Sequence, residues 1–274
     1  MMTRIISSLA IAGFVILPLS FPAQADLKTE VVTVEVRPGV TMRYLAVTDS
    51  APVKAALILL PGGNGALKIT PTGEMSADLG LNFLIRSRNE FALQGLYVAA
   101  LDAASDQQAG MNGFVRLSRQ HAQDIEKILF DVKQRTNARL WLIGTSAGTL
   151  SVANAASRLA QSPSRPYGII LTSTQTAIDP GHCGKTVYDA PLVDIKGPVL
   201  IVSHRDDGCA CSPGGTAAGA KLLNALSGAS AKEHKIFTGG DPPLSSACNA
   251  RSPHGYFGIE ANVVKTIAEW IENN

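Results

Sequence analysis

The sequence predicts an α/β fold in which helices cover both faces of a mostly parallel central sheet. Short, continuously apolar runs alternate along the chain with longer segments of helical periodicity, the order expected of strand–helix–strand units. Such apolar runs are typical of parallel strands because these strands are buried on both faces. There is no internal repeat and no linker-like segment, so we expect residues 26–274 to form a single domain.

The first predicted elements are an antiparallel hairpin and a buried strand. Valines alternate with polar residues over 31–36, and a second strand-like run covers 41–47 after a Pro-Gly turn. The apolar run at 54–60 predicts a buried strand that ends in a glycine-rich loop at 61–65.

The rest of the chain continues the alternation, with periodic segments predicted as helices and short apolar runs as strands. The predicted helices cover residues 81–93, 118–135, 147–159, 215–226 and 256–271. The predicted strands cover residues 96–101, 139–143, 168–173, 198–203 and 235–237. The long irregular segment at 174–196 is expected above the sheet, as part of a substrate cleft.

Residues 1–25 have the pattern of a cleaved export signal. Arg4 is the only charged residue before Asp26, an apolar stretch at 5–19 follows it, and the tripeptide at 23–25 matches the A-x-A cleavage signature. The stretch is short for a bilayer-spanning helix, and an uncleaved N-terminal anchor is the alternative interpretation. We therefore expect a periplasmic or secreted protein that begins at Asp26 and is not stably inserted in a membrane.

Charge is nearly balanced, with 24 Lys and Arg against 22 Asp and Glu. The chain has no basic stripe with interleaved aromatic residues, which argues against nucleic-acid binding and against a polyanionic substrate.

A candidate nucleophile lies in the motif Gly-Thr-Ser-Ala-Gly at 144–148, between a predicted strand and a predicted helix. This order is required by the nucleophile elbow, a tight turn that holds the serine clear of both elements. Glycines at 144 and 148 give room for crowded backbone, and the helix N-terminus directs N–H groups toward a developing oxyanion. Ser146 is the predicted nucleophile; the alternative is an ordinary glycine–serine turn.

A serine hydroxyl needs a general base, and the base needs an orienting acid. In chains with this type of turn, the acid and then the histidine follow the serine along the sequence. His254, in a polar loop before the last predicted helix, is therefore the predicted base. Two candidate acids, Asp206 and Asp207, follow the strand at 198–203; Asp207 is preferred for its distance past the strand and for the turn-forming Gly208 behind it.

Acyl transfer also needs N–H donors for a negative oxygen. The backbone N–H of Ala147 is one predicted donor, and that of Gly63 or Asn64 in the glycine loop is the other. The alternatives for this loop are a plain flexible turn and a phosphate cradle, but the loop lacks the G-x4-G-K-[ST] pattern of nucleotide binding.

Together these motifs resemble the α/β-hydrolase family. The matching segments are the glycine loop at 60–65, the motif at 144–148, the strand followed by Asp207, and the loop at 253–255, so the likeness runs from about residue 54 to the C-terminus. The resemblance implies an eight-stranded sheet, no cofactor, and hydrolysis of an ester-type bond in a small acyl substrate through an acyl-enzyme. It is closest in kind to exported bacterial serine hydrolases, either esterase-like or dienelactone-hydrolase-like.

Two departures from the family pattern leave other functions open. Pro61 stands where lipase-like members have His, and Ser146 stands where dienelactone-hydrolase-like members often have Cys. A peptidase or amidase using the same three residues is one alternative. A non-catalytic binding protein with this fold is the other.

The cysteines Cys183, Cys209, Cys211 and Cys248 predict two disulfides, because an even count in an exported chain favours them. A metal site is the competing interpretation, but the C-x-C spacing differs from that of zinc sites, and we expect no metal. If Asp207 and His254 are neighbours, a bond from Cys209 or Cys211 to Cys248 would join their loops. Cys183 would then take the remaining cysteine.

Overall fold

One eight-stranded sheet runs through the part of the chain that the computed structural model describes, residues 26–49 and 52–274. The predicted export signal at 1–25 lies outside the described residues. The strands are β1 (Lys28–Arg37), β2 (Val40–Thr48), β3 (Ala55–Leu60), β4 (Leu96–Leu101), β5 (Leu140–Thr145), β6 (Gly168–Thr172), β7 (Val199–His204) and β8 (Lys232–Phe237).

The strand order is β1-β2-β4-β3-β5-β6-β7-β8. The hairpin β1–β2 is antiparallel and pairs antiparallel to β4, whereas β3 to β8 are all parallel to their neighbours. The prediction of a mostly parallel sheet with an N-terminal hairpin is thus confirmed. Because β3 to β8 are parallel, their carboxyl ends meet at one edge, where ligands of open α/β sheets bind.

The described helices are α1 (Ala77–Gly80), α2 (Phe83–Arg86), α3 (Arg88–Leu93), α4 (Gly113–Arg116), α5 (Arg119–Thr136), α6 (Gly148–Arg158), α7 (Thr216–Ala225) and α8 (Glu260–Asn273). Neighbouring residues of each central strand enter opposite cores, since side chains alternate along a strand. In β3, Ile58 packs with α5 and α6 on one face, and Leu59 packs with α3 and α8 on the other. Both faces of the sheet are therefore covered, as the continuous apolar runs predicted.

Two predicted helices differ in the structure. The helix predicted at 81–93 is interrupted at Ser87, whose ψ of 5° is not helical, and becomes the short helices α2 and α3. The helix predicted at 256–271 begins later, because Tyr256 is left-handed with φ 57° and Gly258 has φ 84°. Among the described residues, no helix has both the length and the apolar character needed to cross a membrane.

Candidate active site

The turn between β5 and α6 holds Ser146 in an unusual backbone conformation. Its φ is 53°, in the left-handed region that costs a residue with a side chain roughly 1–2 kcal/mol. Two glycines make the turn possible. A Cβ on Gly148 would lie 2.1 Å from the Leu60 carbonyl oxygen, and one on Gly144 would lie 2.6 Å from the Gly148 carbonyl oxygen. The motif therefore needs glycine at both positions for close backbone packing.

Hydrogen bonds to neighbouring elements hold the strained turn in place. The Ser146 N–H donates to the Thr172 carbonyl at the end of β6, at 3.1 Å. The Ser146 carbonyl accepts from the Thr149 hydroxyl at 2.5 Å and from the Thr149 N–H at 3.0 Å. Strain of this kind persists only where the surroundings over-determine it, and it clusters at functional sites.

A buried histidine–carboxylate pair lies at the same edge of the sheet. His254 Nδ1 is 2.9 Å from Asp207 Oδ2, and their side chains are 6% and 1% exposed. The other carboxylate oxygen, Oδ1, accepts the Cys209 N–H at 2.9 Å. The carboxylate accepts a hydrogen bond from Nδ1–H, which leaves Nε2 as the nitrogen with a free lone pair.

The alternative acid, Asp206, makes no such contact. Its side chain is 61% exposed, and its carboxylate is 3.7 Å from Nε of Arg205. Of the two aspartates, the structure brings only Asp207 to His254.

The Ser146 turn and the His254 loop both contact the end of β6. Ser173 follows Thr172 directly, and its hydroxyl donates to the His254 carbonyl at 2.7 Å. Its N–H donates to the Tyr256 hydroxyl at 3.0 Å, and that hydroxyl donates to the Val202 carbonyl at 2.8 Å. Among the described residues, no hydrogen bond joins the Ser146 hydroxyl to the His254 ring. Such contacts are often long until substrate is bound.

The glycine loop after β3 lies against Ser146. A Cβ on Gly62 would lie 2.9 Å from Ser146 Cβ. Within the described residues, the backbone N–H groups of Gly63, Asn64 and Ala147 donate no hydrogen bond. All three predicted oxyanion donors are therefore unpaired, and their convergence on one point stays a prediction.

Comparison with solved structures finds the same architecture in proteins of very different sequence. A dienelactone hydrolase from Anabaena variabilis is 14% identical, with a TM-score of 0.61 over 90% of this chain and 98% of that chain. An esterase from Pyrococcus furiosus is 12% identical, with a TM-score of 0.62 over 90% of this chain and 91% of that chain. A fungal esterase from Rhizomucor miehei is 13% identical, with a TM-score of 0.61 over 90% of this chain and 83% of that chain. The chain has the α/β-hydrolase fold. No family model and no curated protein matches it.

Two disulfides brace the loops at the carboxyl edge of this α/β-hydrolase fold. Cys209 is bonded to Cys248, and Cys183 is bonded to Cys211. The first bond joins the loop of Asp207 to the loop that leads into His254, so the predicted connection between the two loops is confirmed. Among the described residues no cysteine is free, and the metal-site interpretation of the C-x-C pair is wrong.

Sequence reasoning missed two residues that shape the site. Ser173 was predicted only as the end of a strand, yet it has φ 42° and contacts the His254 backbone. Tyr256 was predicted as the start of a helix, yet it is fully buried, and burial raises the pKa of its hydroxyl. Neither role has a local sequence signal, because both depend on contacts between distant segments.

Proposed function

We propose that this chain is an exported serine hydrolase that cleaves an ester-type bond in a small acyl substrate. The observation that carries the proposal is the buried Asp207–His254 pair at the same sheet edge as Ser146, which occupies a strained, glycine-flanked turn. Several proteins that share the fold are a dienelactone hydrolase and esterases, which supports an ester rather than another substrate.

In this proposal Ser146 Oγ attacks the substrate carbonyl carbon while His254 Nε2 takes the hydroxyl proton. Asp207 keeps the imidazole in the Nδ1–H tautomer and stabilises the imidazolium that forms. The carbonyl π electrons move to oxygen, and the N–H groups of Ala147 and of Gly63 or Asn64 receive that negative charge.

Collapse of the tetrahedral intermediate breaks the bond to the alcohol oxygen. The leaving alkoxide takes the proton from His254 and departs as the alcohol, leaving an acyl group on Ser146. Water then attacks the acyl carbon, with His254 again removing the proton, and the acid is released as the serine is restored.

Export is part of the same proposal. The pattern at residues 1–25 supports it, and so do the two disulfides, which persist mainly in oxidising compartments. We likewise propose that residues 26–274 form one domain, which the single sheet spanning the described residues supports.

Labelling with a fluorophosphonate tests the chemistry directly. We expect the wild-type protein to be labelled on Ser146, as located by peptide mass spectrometry, and the Ser146→Ala variant to stay unlabelled. p-Nitrophenyl esters of increasing acyl length and aminoacyl p-nitroanilides, assayed side by side, then separate substrate classes. Faster turnover of the anilides would favour a peptidase, and neither labelling nor turnover of either class would favour a binding protein.

A further inference from the structure

Arg116, the last residue of α4, is a buried cation beneath the glycine loop. It is 1% exposed, although arginine is among the residues least often fully buried. Among the described residues it forms no ion pair with a carboxylate. Burial lowers the pKa of its guanidinium to about 10, so it remains charged at neutral pH.

The guanidinium binds backbone carbonyls of the loop that follows β3. Nη2 donates to the Pro61 carbonyl at 3.1 Å and to the Gly63 carbonyl at 3.1 Å, with the Gly62 carbonyl at 3.5 Å. Nη1 donates to the Ser151 hydroxyl of α6 at 3.0 Å. One side chain thus ties the loop to the helix that begins at the nucleophile turn.

These contacts determine which way the loop N–H groups point. In a trans peptide the C=O and the next N–H point in opposite directions, and no described peptide is cis. Holding the Gly63 carbonyl toward Arg116 therefore turns the Asn64 N–H away from it. The weaker contact to Gly62 does the same for the Gly63 N–H. Among the described residues, neither of these two N–H groups has a hydrogen-bond partner.

We infer that Arg116 is the positioning residue of the oxyanion loop, aiming the N–H of Asn64 or Gly63 and adding positive charge beneath it. The inference rests on the proposed function. Arg116 does not touch substrate, because it is covered on all sides. Its positive charge acts through a poorly solvated interior, where it favours negative charge at the loop more than it would in water. An unpaired buried cation is otherwise a costly feature to keep.

The test compares Arg116→Met with Arg116→Lys, using p-nitrophenyl acetate and full kinetics. Loss of one oxyanion donor lowers kcat by about 100-fold or more, so we expect Arg116→Met to lose about that much with KM within about threefold. Arg116→Lys keeps the positive charge and one group of N–H donors, so its kcat should be about tenfold higher than that of Arg116→Met. The rate of inactivation by a fluorophosphonate should fall in parallel. Arg88→Met is the matched control, since Arg88 of α3 also donates to a backbone carbonyl, that of Ile85 in α2. The kcat of this variant should stay within twofold of wild type.

A folded Arg116→Met variant with kcat within twofold of wild type would overturn the inference, as would an equal loss in Arg88→Met. A rise in KM alone would overturn it too, since that would indicate a role in substrate binding. If Arg116→Met does not fold, Arg116→Lys and Ser151→Ala carry the test: each should lower kcat by about threefold or more, and unchanged kcat in both overturns it. A wild-type protein that neither reacts with the fluorophosphonate nor hydrolyses the ester refutes the proposed function instead.

Discussion

Removing the two disulfides one at a time separates their effect on stability from their effect on the site. The bond between Cys209 and Cys248 joins the Asp207 loop to the loop that leads into His254. The bond between Cys183 and Cys211 joins the segment after β6 to the part of the β7 loop that follows Asp207. It makes no link to the His254 loop. Replacing each pair by serines gives two matched variants.

The expected stability losses are close to each other. The bonds span sequence separations of 39 and 28 residues. Loop-closure entropy then gives roughly 4 kcal/mol for the longer loop and roughly 3.5 kcal/mol for the shorter. For a domain of this size, losing the bond that closes the longer loop lowers Tm by roughly 8 to 16 °C, and losing the one that closes the shorter loop lowers it by roughly 7 to 14 °C. Stability alone would therefore affect the two variants almost equally.

The expected activity losses differ. Cys209 also donates its N–H to Asp207 Oδ1 at 2.9 Å, so its loop sets the position of the carboxylate. Without the bond to Cys248 the acid and base loops can separate, and misplacement by about 1 Å costs up to about 100-fold. We expect kcat for p-nitrophenyl acetate to fall by about tenfold or more in Cys209→Ser/Cys248→Ser. In Cys183→Ser/Cys211→Ser it should fall by less than about threefold.

The assay is run at 15 °C, with circular dichroism confirming that both variants are folded, and Tm is measured in parallel. Reduction of the wild-type protein should likewise lower kcat at temperatures below its melting transition. Equal activity losses in the two variants, or full activity without the Cys209–Cys248 bond, would refute the view that this bond holds acid and base in register.

Three further predictions concern single residues. Asp207→Asn should lower kcat by roughly 10⁴-fold through the wrong imidazole tautomer, and Asp206→Asn should stay near wild type; the reverse result would assign the acid to Asp206. Ser146→Ala and Ser146→Gly should both be inactive. The free energy of unfolding should be about 0.5–1 kcal/mol higher for the glycine variant than for the alanine variant, because glycine accepts positive φ. Equal urea midpoints would argue against strain at the turn. Burial and the nearby charge of Arg116 lower the pKa of His121 to about 3, below its usual value of about 6.5. Between those values the unfolded chain binds a proton that the folded one does not, so the free energy of unfolding falls by up to about 1.4 kcal/mol per pH unit on acidification. His121→Gln should show a shallower fall in urea titrations from pH 7 to 4, and an unchanged slope would contradict this.

Local patterns were enough to predict most of the sheet. The run at 198–203 became β7 almost residue for residue, because a strand buried on both faces must be continuously apolar. The last helix was predicted too early, at 256, since the periodicity includes Tyr256. The Tyr256 hydroxyl accepts from the N–H of Ser173, just after β6, and donates to the carbonyl of Val202 in β7. Both partners are more than 50 residues away, so no local pattern encodes these contacts.

In the site, too, residues with a local sequence pattern were predicted, and residues positioned by distant contacts were not. Chain order and turn chemistry selected Ser146 and His254, and distance past a strand selected Asp207, which the structure pairs with the histidine. Arg116 gave no signal, because its partners in the glycine loop lie 53 to 55 residues earlier in the chain and are backbone carbonyls. A residue that acts on backbone atoms leaves no pattern of side-chain types to detect.

Three separate restraints act on the base loop, and together they explain how His254 can be oriented before substrate arrives. Asp207 binds the imidazole ring at Nδ1, and the Ser173 hydroxyl donates to the His254 carbonyl. Arg86 donates to the carbonyl of the next residue, Gly255, at 2.6 Å. Each restraint comes from a different element, so loss of one leaves the other two in place. The ring atom left without a hydrogen bond among the described residues is Nε2, the atom that accepts the Ser146 proton in the proposed mechanism. Fixing the Nδ1 and the carbonyl of His254 while Nε2 stays without a partner would lower the reorganisation needed when the proton moves in the proposed mechanism, which favours efficient general-base catalysis.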